Sequence, residues 1–199
     1  MAEQVKITLF TFDELPHESQ QKLIEGFRQD YEPDYGHIYD EFMLEMSEKY
    51  GAKISIDDIQ WSGFWSQGDG ACFTCDFDSE VLFPMLKEGL SEDDLSYLEK
   101  QGTKLDAKSV RTGLSNYYCH ENTVEGELYL YSDTDDTMDE IREELENKLT
   151  EIIRQSCRDL YQSLEDYYNE VTDSEIIKQR IKEFWPGCNF RKDGTIFAR

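Results

Sequence analysis

Residues 138–171 read MDEIREELENKLTEIIRQSCRDLYQSLEDYYNEV, and this stretch does most to set the class of the fold. Its apolar residues recur every three or four positions, at Met138, Ile141, Leu145, Leu149, Ile152, Leu160, Leu164 and Tyr168. That spacing predicts one long amphipathic helix, about 50 Å in length at about 1.5 Å per residue. So continuous a stripe can pack on its own domain or on a second copy of the chain, which makes a homodimer one alternative.

Hairpin patterns on both sides of this helix predict an antiparallel sheet. Ile54 to Trp65 and Ala71 to Phe77 are strand-like runs, and the glycines of the SQGDG loop at 66–70 permit the positive φ of a tight turn. A second, tyrosine-rich hairpin is expected from Gly113 to His120 and from Glu127 to Tyr131. A C-terminal hairpin at about 188–198 would turn at Asp193-Gly194.

The other segments complete an α+β protein, in which helices cover an antiparallel sheet built from hairpins. We expect a single domain over residues 1–199. Its remaining elements are a strand over Val5–Phe12, a helix from Asp13 to about Gln29, a helix over Tyr35–Tyr50 that Gly51 ends, a polar and mostly helical segment over Pro84–Arg111 with a helix start at Ser91, and a helix over Asp173–Phe184.

The charge of the chain is its strongest functional signal. There are 44 Asp and Glu against 20 Lys and Arg, a net charge of −24 on 199 residues, of which 38% are hydrophobic. Residues 1–171 alone carry −26. Self-repulsion of this size destabilises a compact chain, and it steers partners of opposite charge. It therefore favours a strongly positive partner surface over nucleic acid or a membrane.

The N-terminus and the cysteines indicate a cytosolic protein. MAEQVKITLFTF lacks the basic region and apolar stretch of a secretory signal, and no 18 apolar residues run together. An odd number of cysteines, five, favours free thiols over a disulfide framework.

The sequence contains no complete catalytic pattern, so we expect a protein that is not an enzyme and binds no cofactor. The three histidines, His17, His37 and His120, belong to no recognisable arrangement of nucleophile and base. Gly68-Asp69-Gly70 is too short to cradle a phosphate, and its carboxylate would repel one.

Two patterns resemble metal sites, but each lacks a feature that the site requires. Cys72 and Cys75 have zinc-knuckle spacing, and Cys119 and His120 would complete four ligands, but an alternating strand would point the first two cysteines to opposite faces. Asp133, Asp135, Thr137 and Glu144 occupy positions 1, 3, 5 and 12 of an EF-hand loop, but Met138 replaces the turn glycine.

The densest acidic run is the first candidate binding site. It precedes and begins the long helix, where the helix dipole by itself already favours carboxylates. A rod of carboxylates can also compete for a nucleic-acid-binding protein, because duplex DNA presents about one charge per 1.7 Å. The candidate residues are Asp133, Asp135, Asp136, Asp139, Glu140, Glu143 and Glu144.

The aromatic hairpin is the second candidate binding site. In strict alternation Ile59, Trp61 and Trp65 share one face and Phe64 takes the other, so one set is expected in the core and the other partly exposed. Gln67 and Asp69 offer polar contacts at the tip of the hairpin.

A resemblance is carried by SGFWSQGDGACF at 62–73 and by FRKDGTIF at 190–197, which follows a tyrosine-rich helix. These segments resemble a family of uncharacterised tailed-bacteriophage proteins, some of them labelled antitoxin-like, over about two thirds of the chain. The resemblance implies a phage origin and a bacterial cytoplasm. It assigns no functional residue.

Charge and resemblance together predict a phage-encoded inhibitor of the anti-CRISPR or anti-restriction type. Its partner would be a basic host protein, such as a CRISPR effector or a nuclease, whose nucleic-acid-binding surface it blocks. One alternative is an antitoxin that neutralises a basic toxin. Another is a sponge or hydrolase for a signalling nucleotide, with the aromatic hairpin lining its pocket.

Overall fold

The α+β class is confirmed by the computed structural model, which describes residues 6–112, 118–131, 136–187 and 189–197. Six helices and six strands follow in the described ranges: α1 (His17–Asp30), α2 (Gly36–Tyr50), β1 (Ala52–Lys53), β2 (Ile59–Ser62), β3 (Gly70–Phe73), β4 (Cys75–Phe77), α3 (Ser79–Leu86), α4 (Glu92–Lys100), β5 (Lys104–Arg111), β6 (Val124–Tyr131), α5 (Asp136–Val171) and α6 (Ser174–Phe184). Short 3₁₀ turns occupy Phe12–Glu14, Ile56–Asp58 and Glu121–Thr123.

The chain divides into two compact units. Met1–Asp34 and Asp166–Arg199 form the first unit, and Tyr35–Glu165 forms the second. Helix α5 contributes residues to both. The expectation of one domain over the whole chain stays a prediction.

A four-stranded antiparallel sheet in the order β1-β4-β5-β6 lies in the second unit. Its longest pairing joins β5 to β6, from Lys104 opposite Tyr131 to Arg111 opposite Val124. The prediction of a mostly helical Pro84–Arg111 was wrong over β5. Its inward residues alternate with charged ones, but two of them, Ala107 and Ser109, are too small to give a strong apolar signal.

The predicted second hairpin was also wrong in the partner of its second strand: within the described residues, β6 pairs with β5. Of that segment, residues 113–117 lie outside the described residues, and 118–120 form no strand.

Within the described chain, the helix start at Ser91 is confirmed, since the Ser91 hydroxyl accepts a hydrogen bond from Asp94 N.

Helix α5 lies against β6, and its side chains accept hydrogen bonds from backbone N–H groups on the outer edge of that strand. The backbone N–H groups of Gly126 and Leu128 donate to Thr150 Oγ1 at 3.0 Å and to Glu146 Oε1 at 3.1 Å. Edge strands covered in this way do not pair with other chains. The long helix predicted from the sequence is thus confirmed. Its side chains cover β6, which explains why the sheet ends at that strand.

The buried stripe of α5 differs from the predicted one at its centre. Ile153 is fully buried and Ile152 only partly, and Cys157 fills the gap before Leu160. The predicted spacing counted three residues from Leu149 where the helix uses four. Leu145, Leu149 and Leu164 have no exposed surface, so the stripe is already covered within one chain and needs no second copy.

Helix α2 is confirmed, with Phe42 and Met46 buried. Gly51 ends it in the left-handed conformation at φ 64°, and its N–H donates to carbonyls of the last turn.

The first hairpin is confirmed as β2 paired with β3, with Trp61 opposite Ala71. The first strand is shorter than predicted because Ile56–Asp58 form a 3₁₀ turn and the connecting loop begins at Gly63. The second predicted strand is divided at Thr74 into β3 and β4.

The first unit is built from both ends of the chain. Phe12, Leu15, Ile24, Ile177, Ile181 and Phe190 form its core, between α1 and α6. The strand predicted over Val5–Phe12 was wrong: Val5 lies outside the described residues, only Phe10 bridges Phe190, and the chain then enters the 3₁₀ turn. Phe190 also bridges Ile196 around a turn in which the Asp193 carboxylate accepts from Thr195 N at 3.0 Å.

Candidate functional site

The acidic run is described from Asp136 onward. Asp133 and Asp135 lie outside the described residues, as does the side chain of Asp136, where α5 begins. Asp139, Glu140, Glu143 and Glu144 are all exposed on the first turns of α5. Asp139 pairs with Arg142 at 3.2 Å and Glu144 with Lys148 at 2.8 Å, so two of the four carboxylates are partly neutralised within the helix.

The structure does not support an EF-hand loop at this run. A calcium loop needs twelve residues of turn, and residues from Asp136 onward are helical. Thr137 and Glu144 therefore follow the geometry of a helix. Capping and partner binding remain the two roles open to these carboxylates.

The four zinc candidates are not gathered into a site. Cys72 belongs to β3 and Cys75 to β4, in different sheets, because the chain leaves the hairpin at Thr74. The expectation that one alternating strand carries both was wrong. Among the residues that the structure describes, no group of three or more His, Cys, Asp and Glu is placed to hold a metal ion.

Trp61 and Phe64 form the centre of an aromatic cluster in the second unit. Their rings stack with centroids 5.0 Å apart, and the Trp61 indole N–H donates to Tyr39 Oη at 2.7 Å. Tyr35 meets Trp61 edge to face at 5.0 Å, and Tyr161 lies 5.6 Å from Phe64. The prediction that Trp61 and Phe64 occupy opposite faces was wrong, because Gly63 turns the chain at φ 27° and ends the alternation.

Trp65 is presented at the tip of an ordered loop. Its side chain is 77% exposed, and it lies in the loop rather than in a strand with Trp61. The Asp69 carboxylate accepts hydrogen bonds from Trp65 N at 2.9 Å and from Ser66 N at 2.6 Å. Asp69 Oδ2 thus holds the loop in shape, and Gln67 is exposed beside it. The prediction that Gln67 and Asp69 contact a partner stays a prediction.

Arg111 ties a second exposed aromatic residue, Tyr118, to strand β3 next to this loop. Its guanidinium donates to Tyr118 O at 2.9 Å and to Cys72 Sγ at 3.1 Å. Tyr118 is 60% exposed, and a Cβ added to Gly68 would lie 3.2 Å from its ring. Burial raises the pKa of the Cys72 thiol, and the Arg111 charge opposes that shift.

Sequence reasoning missed Tyr39, Tyr161 and Tyr118 as members of this region. Tyr39 and Tyr161 each follow a residue of an apolar helical stripe by one position, Ile38 and Leu160. That position lies at the border of the apolar face, where a phenol can bury its ring and keep its hydroxyl bonded. The signal was present, but only the tertiary structure shows that both rings meet the hairpin.

The features above define an α+β protein whose acidic second unit presents an ordered aromatic loop. Residues 34–174 match the family model described as Domain of unknown function (DUF8835). The match covers more than half of the chain, so the chain belongs to this family. The matched residues contain the whole of the second unit.

No curated protein and no solved structure matches the chain. The family description carries no statement about phages or antitoxins, so the resemblance of the hairpin and C-terminal segments stays a prediction. Within the described ranges, no helix combines the length and apolar character needed to cross a membrane.

Proposed function

We propose that the protein is a phage-encoded acidic inhibitor that acts in the bacterial cytoplasm. It binds a basic host protein, such as a CRISPR effector or a restriction nuclease, and covers the surface with which that protein holds nucleic acid. It acts by binding and not by catalysis. The observation that carries the proposal is the exposed Trp65 on an ordered loop of a strongly negative unit.

The charge supports a basic partner because it is concentrated in the unit that bears the loop. Residues 35–165 hold 30 Asp and Glu against 11 Lys and Arg, a net of −19. A field of this kind raises association rates with a positive surface and weakens as salt increases. The exposed carboxylates at the start of α5 are part of that field.

The exposed Trp65 supports the proposal of a protein partner. Charge complementarity raises the association rate and orients the two proteins, but it adds less to the affinity of the complex. Tryptophan is among the residues that dominate binding energy at interfaces. Here the loop is held by Asp69, so little conformational freedom is lost when Trp65 is buried by a partner.

An antitoxin that neutralises a basic toxin rests on the same observations and differs only in its partner. The nucleotide sponge or hydrolase has less support. Tyr35 and Phe64 already contact the Trp61 ring, so the space beside it where a base would stack is occupied by side chains. Exposed carboxylates would also repel a phosphate.

Affinity capture from a bacterial host lysate tests the proposal. The tagged protein is loaded at low salt, washed, and eluted at 1 M salt, where the Debye length falls from about 10 Å to about 3 Å. We expect mass spectrometry to identify a basic nucleic-acid-binding protein in the high-salt fraction. Equal recovery of that protein at both salt concentrations would contradict an electrostatic mechanism.

A pair of charge-reversal variants locates the interaction. Glu140→Lys with Glu143→Lys should weaken capture by about tenfold. Asp30→Lys with Glu32→Lys changes the net charge equally but lies in the first unit, and it should have a smaller effect. Equal weakening by both pairs would show that the acidic start of α5 is not part of the interface.

A further inference from the structure

A groove runs between α2 and α5 in the second unit, with a volume of about 210 Å³. Its floor is apolar: Phe42, Met46 and Leu160 line it and are 9%, 2% and 1% exposed. This groove is separate from the aromatic cluster, although Tyr39 and Tyr161 of the same two helices hold the hairpin.

The walls of the groove are two rows of polar side chains. The rows are Glu41, Glu45 and Lys49 on α2, and Gln155, Asp159 and Ser163 on α5. Members of each row are four residues apart, which places them one above another on the same helix face. All are exposed, so three carboxylates and one ammonium group stand over an apolar floor.

The size and charge of the groove restrict its occupant. Pockets for cofactors and drug-sized ligands usually have volumes of about 300–1,000 Å³, so a nucleotide would not be enclosed here. The carboxylates also disfavour any anion. A long cationic side chain fits both features, because it has an apolar stem for the floor and a charged head for the walls.

One wall residue, Lys49, is a cation on which carboxylates of both walls act. Lys49 Nζ lies 5.0 Å from the centroid of the Tyr50 ring. The Tyr50 side chain raises the pKa of Lys49, and Glu45 and Asp159, one on each wall, act in the same direction. Carboxylates from both helices therefore act on a single positive charge, as they would on an incoming one.

We propose that the groove between α2 and α5 binds an arginine side chain of the protein partner. The methylene groups of the arginine lie on Phe42, Met46 and Leu160, and its guanidinium lies between Glu45 of α2 and Asp159 of α5. Arginine suits this position better than lysine because its planar head donates to two carboxylates at once. The inference rests on the proposed function in that it names the side chain the basic partner supplies.

A direct titration tests the groove without the partner. Nα-acetyl-arginine amide is added to the ¹⁵N-labelled protein, and amide shifts are followed by NMR, with Nα-acetyl-citrulline amide as the uncharged analogue of the same shape. We expect saturable shifts on the facing turns of α2 and α5, at millimolar concentrations, with arginine only. Shifts spread over the whole acidic surface, or equal shifts with citrulline, would overturn the proposal.

Variants give effects in opposite directions. Glu45→Gln with Asp159→Asn should weaken arginine binding by about tenfold or more. Lys49→Gln removes the competing ammonium group and should strengthen it. Glu48→Gln with Glu99→Gln removes the same two charges away from the groove, and should change binding by less than about twofold. Weaker binding in Lys49→Gln, or equal weakening in both double variants, would refute the assignment.

This titration and the lysate capture fail independently. Arginine binding in the groove together with no captured basic protein would reject the inhibitor proposal and leave the groove as a cation site. Capture of a basic protein together with no groove shifts would reject the groove and leave the inhibitor proposal standing.

Discussion

Substitution of Gly126 by alanine tests the packing of β6 on α5, the helix that presents the acidic carboxylates. A Cβ at this position would lie 2.5 Å from Leu149 Cγ, 2.8 Å from Leu149 Cδ2 and 3.0 Å from Leu149 Cβ. Carbon atoms in contact prefer about 3.5–4.0 Å, so the strand or the helix must move by about 1 Å. Leu149 is fully buried within a stripe of buried residues and has little room to yield.

The expected cost of this overpacking is about 1–3 kcal/mol of the free energy of unfolding. For a chain of this length each kcal/mol lowers the melting temperature by about 2–4 °C, so the variant should melt about 2–12 °C lower. Thermal unfolding followed by circular dichroism measures this.

Gly26→Ala is the matched control. Gly26 lies inside α1, has no positive φ, and nothing lies within 4 Å of an added Cβ. Alanine there should stabilise the helix by about 0.5–1 kcal/mol, because glycine loses more backbone freedom on folding. The same chemical change should thus have opposite signs at the two positions. If Gly126→Ala melted at or above the wild-type temperature, the close approach of β6 to Leu149 would be refuted.

Three further predictions follow from single side chains. Trp65→Ala should leave the free energy of unfolding, measured in urea, within about 0.5 kcal/mol of wild type while weakening partner capture. Trp61→Ala should lower the free energy of unfolding by about 3 kcal/mol. A larger loss of stability in Trp65→Ala than in Trp61→Ala would show that Trp65 is the structural residue. Hydrogen bonds from Ser55 lower the pKa of Asp58 below its usual 3.8, so the ionised carboxylate stabilises the fold above that pH and the contribution is lost as pH falls. Asp58→Asn should therefore show a shallower loss of stability between about pH 4 and 2 in urea titrations, and an unchanged slope would contradict this role. Burial raises the pKa of Cys75 to about 12, so iodoacetamide at pH 8 should leave Cys75 unmodified in the native protein, as read by mass spectrometry, and label it only after unfolding.

The helices were the part of the fold that the sequence made most predictable. A period of 3.6 residues and clear end signals, such as Gly51 and Ser91, are local properties that tertiary packing did not override. Within α5 the pattern misled at one point, where Ile152 and Ile153 are adjacent and equally apolar. The choice between them depends on which neighbour reaches the core, and spacing alone does not give this.

Strands and site residues depended on contacts between distant segments. β5 is recognisable only once β6 is known to pair with it, since small inward residues hide its alternation. The prediction for Trp61, Phe64 and Trp65 assumed an unbroken strand, and the turn at Gly63 changed all three environments. The sequence also did not indicate that Asp69 Oδ2 accepts hydrogen bonds within the loop itself.

The groove between α2 and α5 was not predictable from spacing. Glu41, Glu45 and Asp159 are ordinary exposed carboxylates when each helix is read by itself. They become a candidate site only because the two helices place them over one apolar floor.

Competition for nucleic acid tests the central claim most directly. The captured partner is bound to a fluorescently labelled nucleic acid, and the protein is titrated in while fluorescence anisotropy is followed at 50 mM and 300 mM salt. The proposed inhibitor releases the nucleic acid, needs a higher concentration at 300 mM salt, and loses potency in Trp65→Ala. A ternary complex in which the nucleic acid stays bound would contradict the claim that the protein covers that surface.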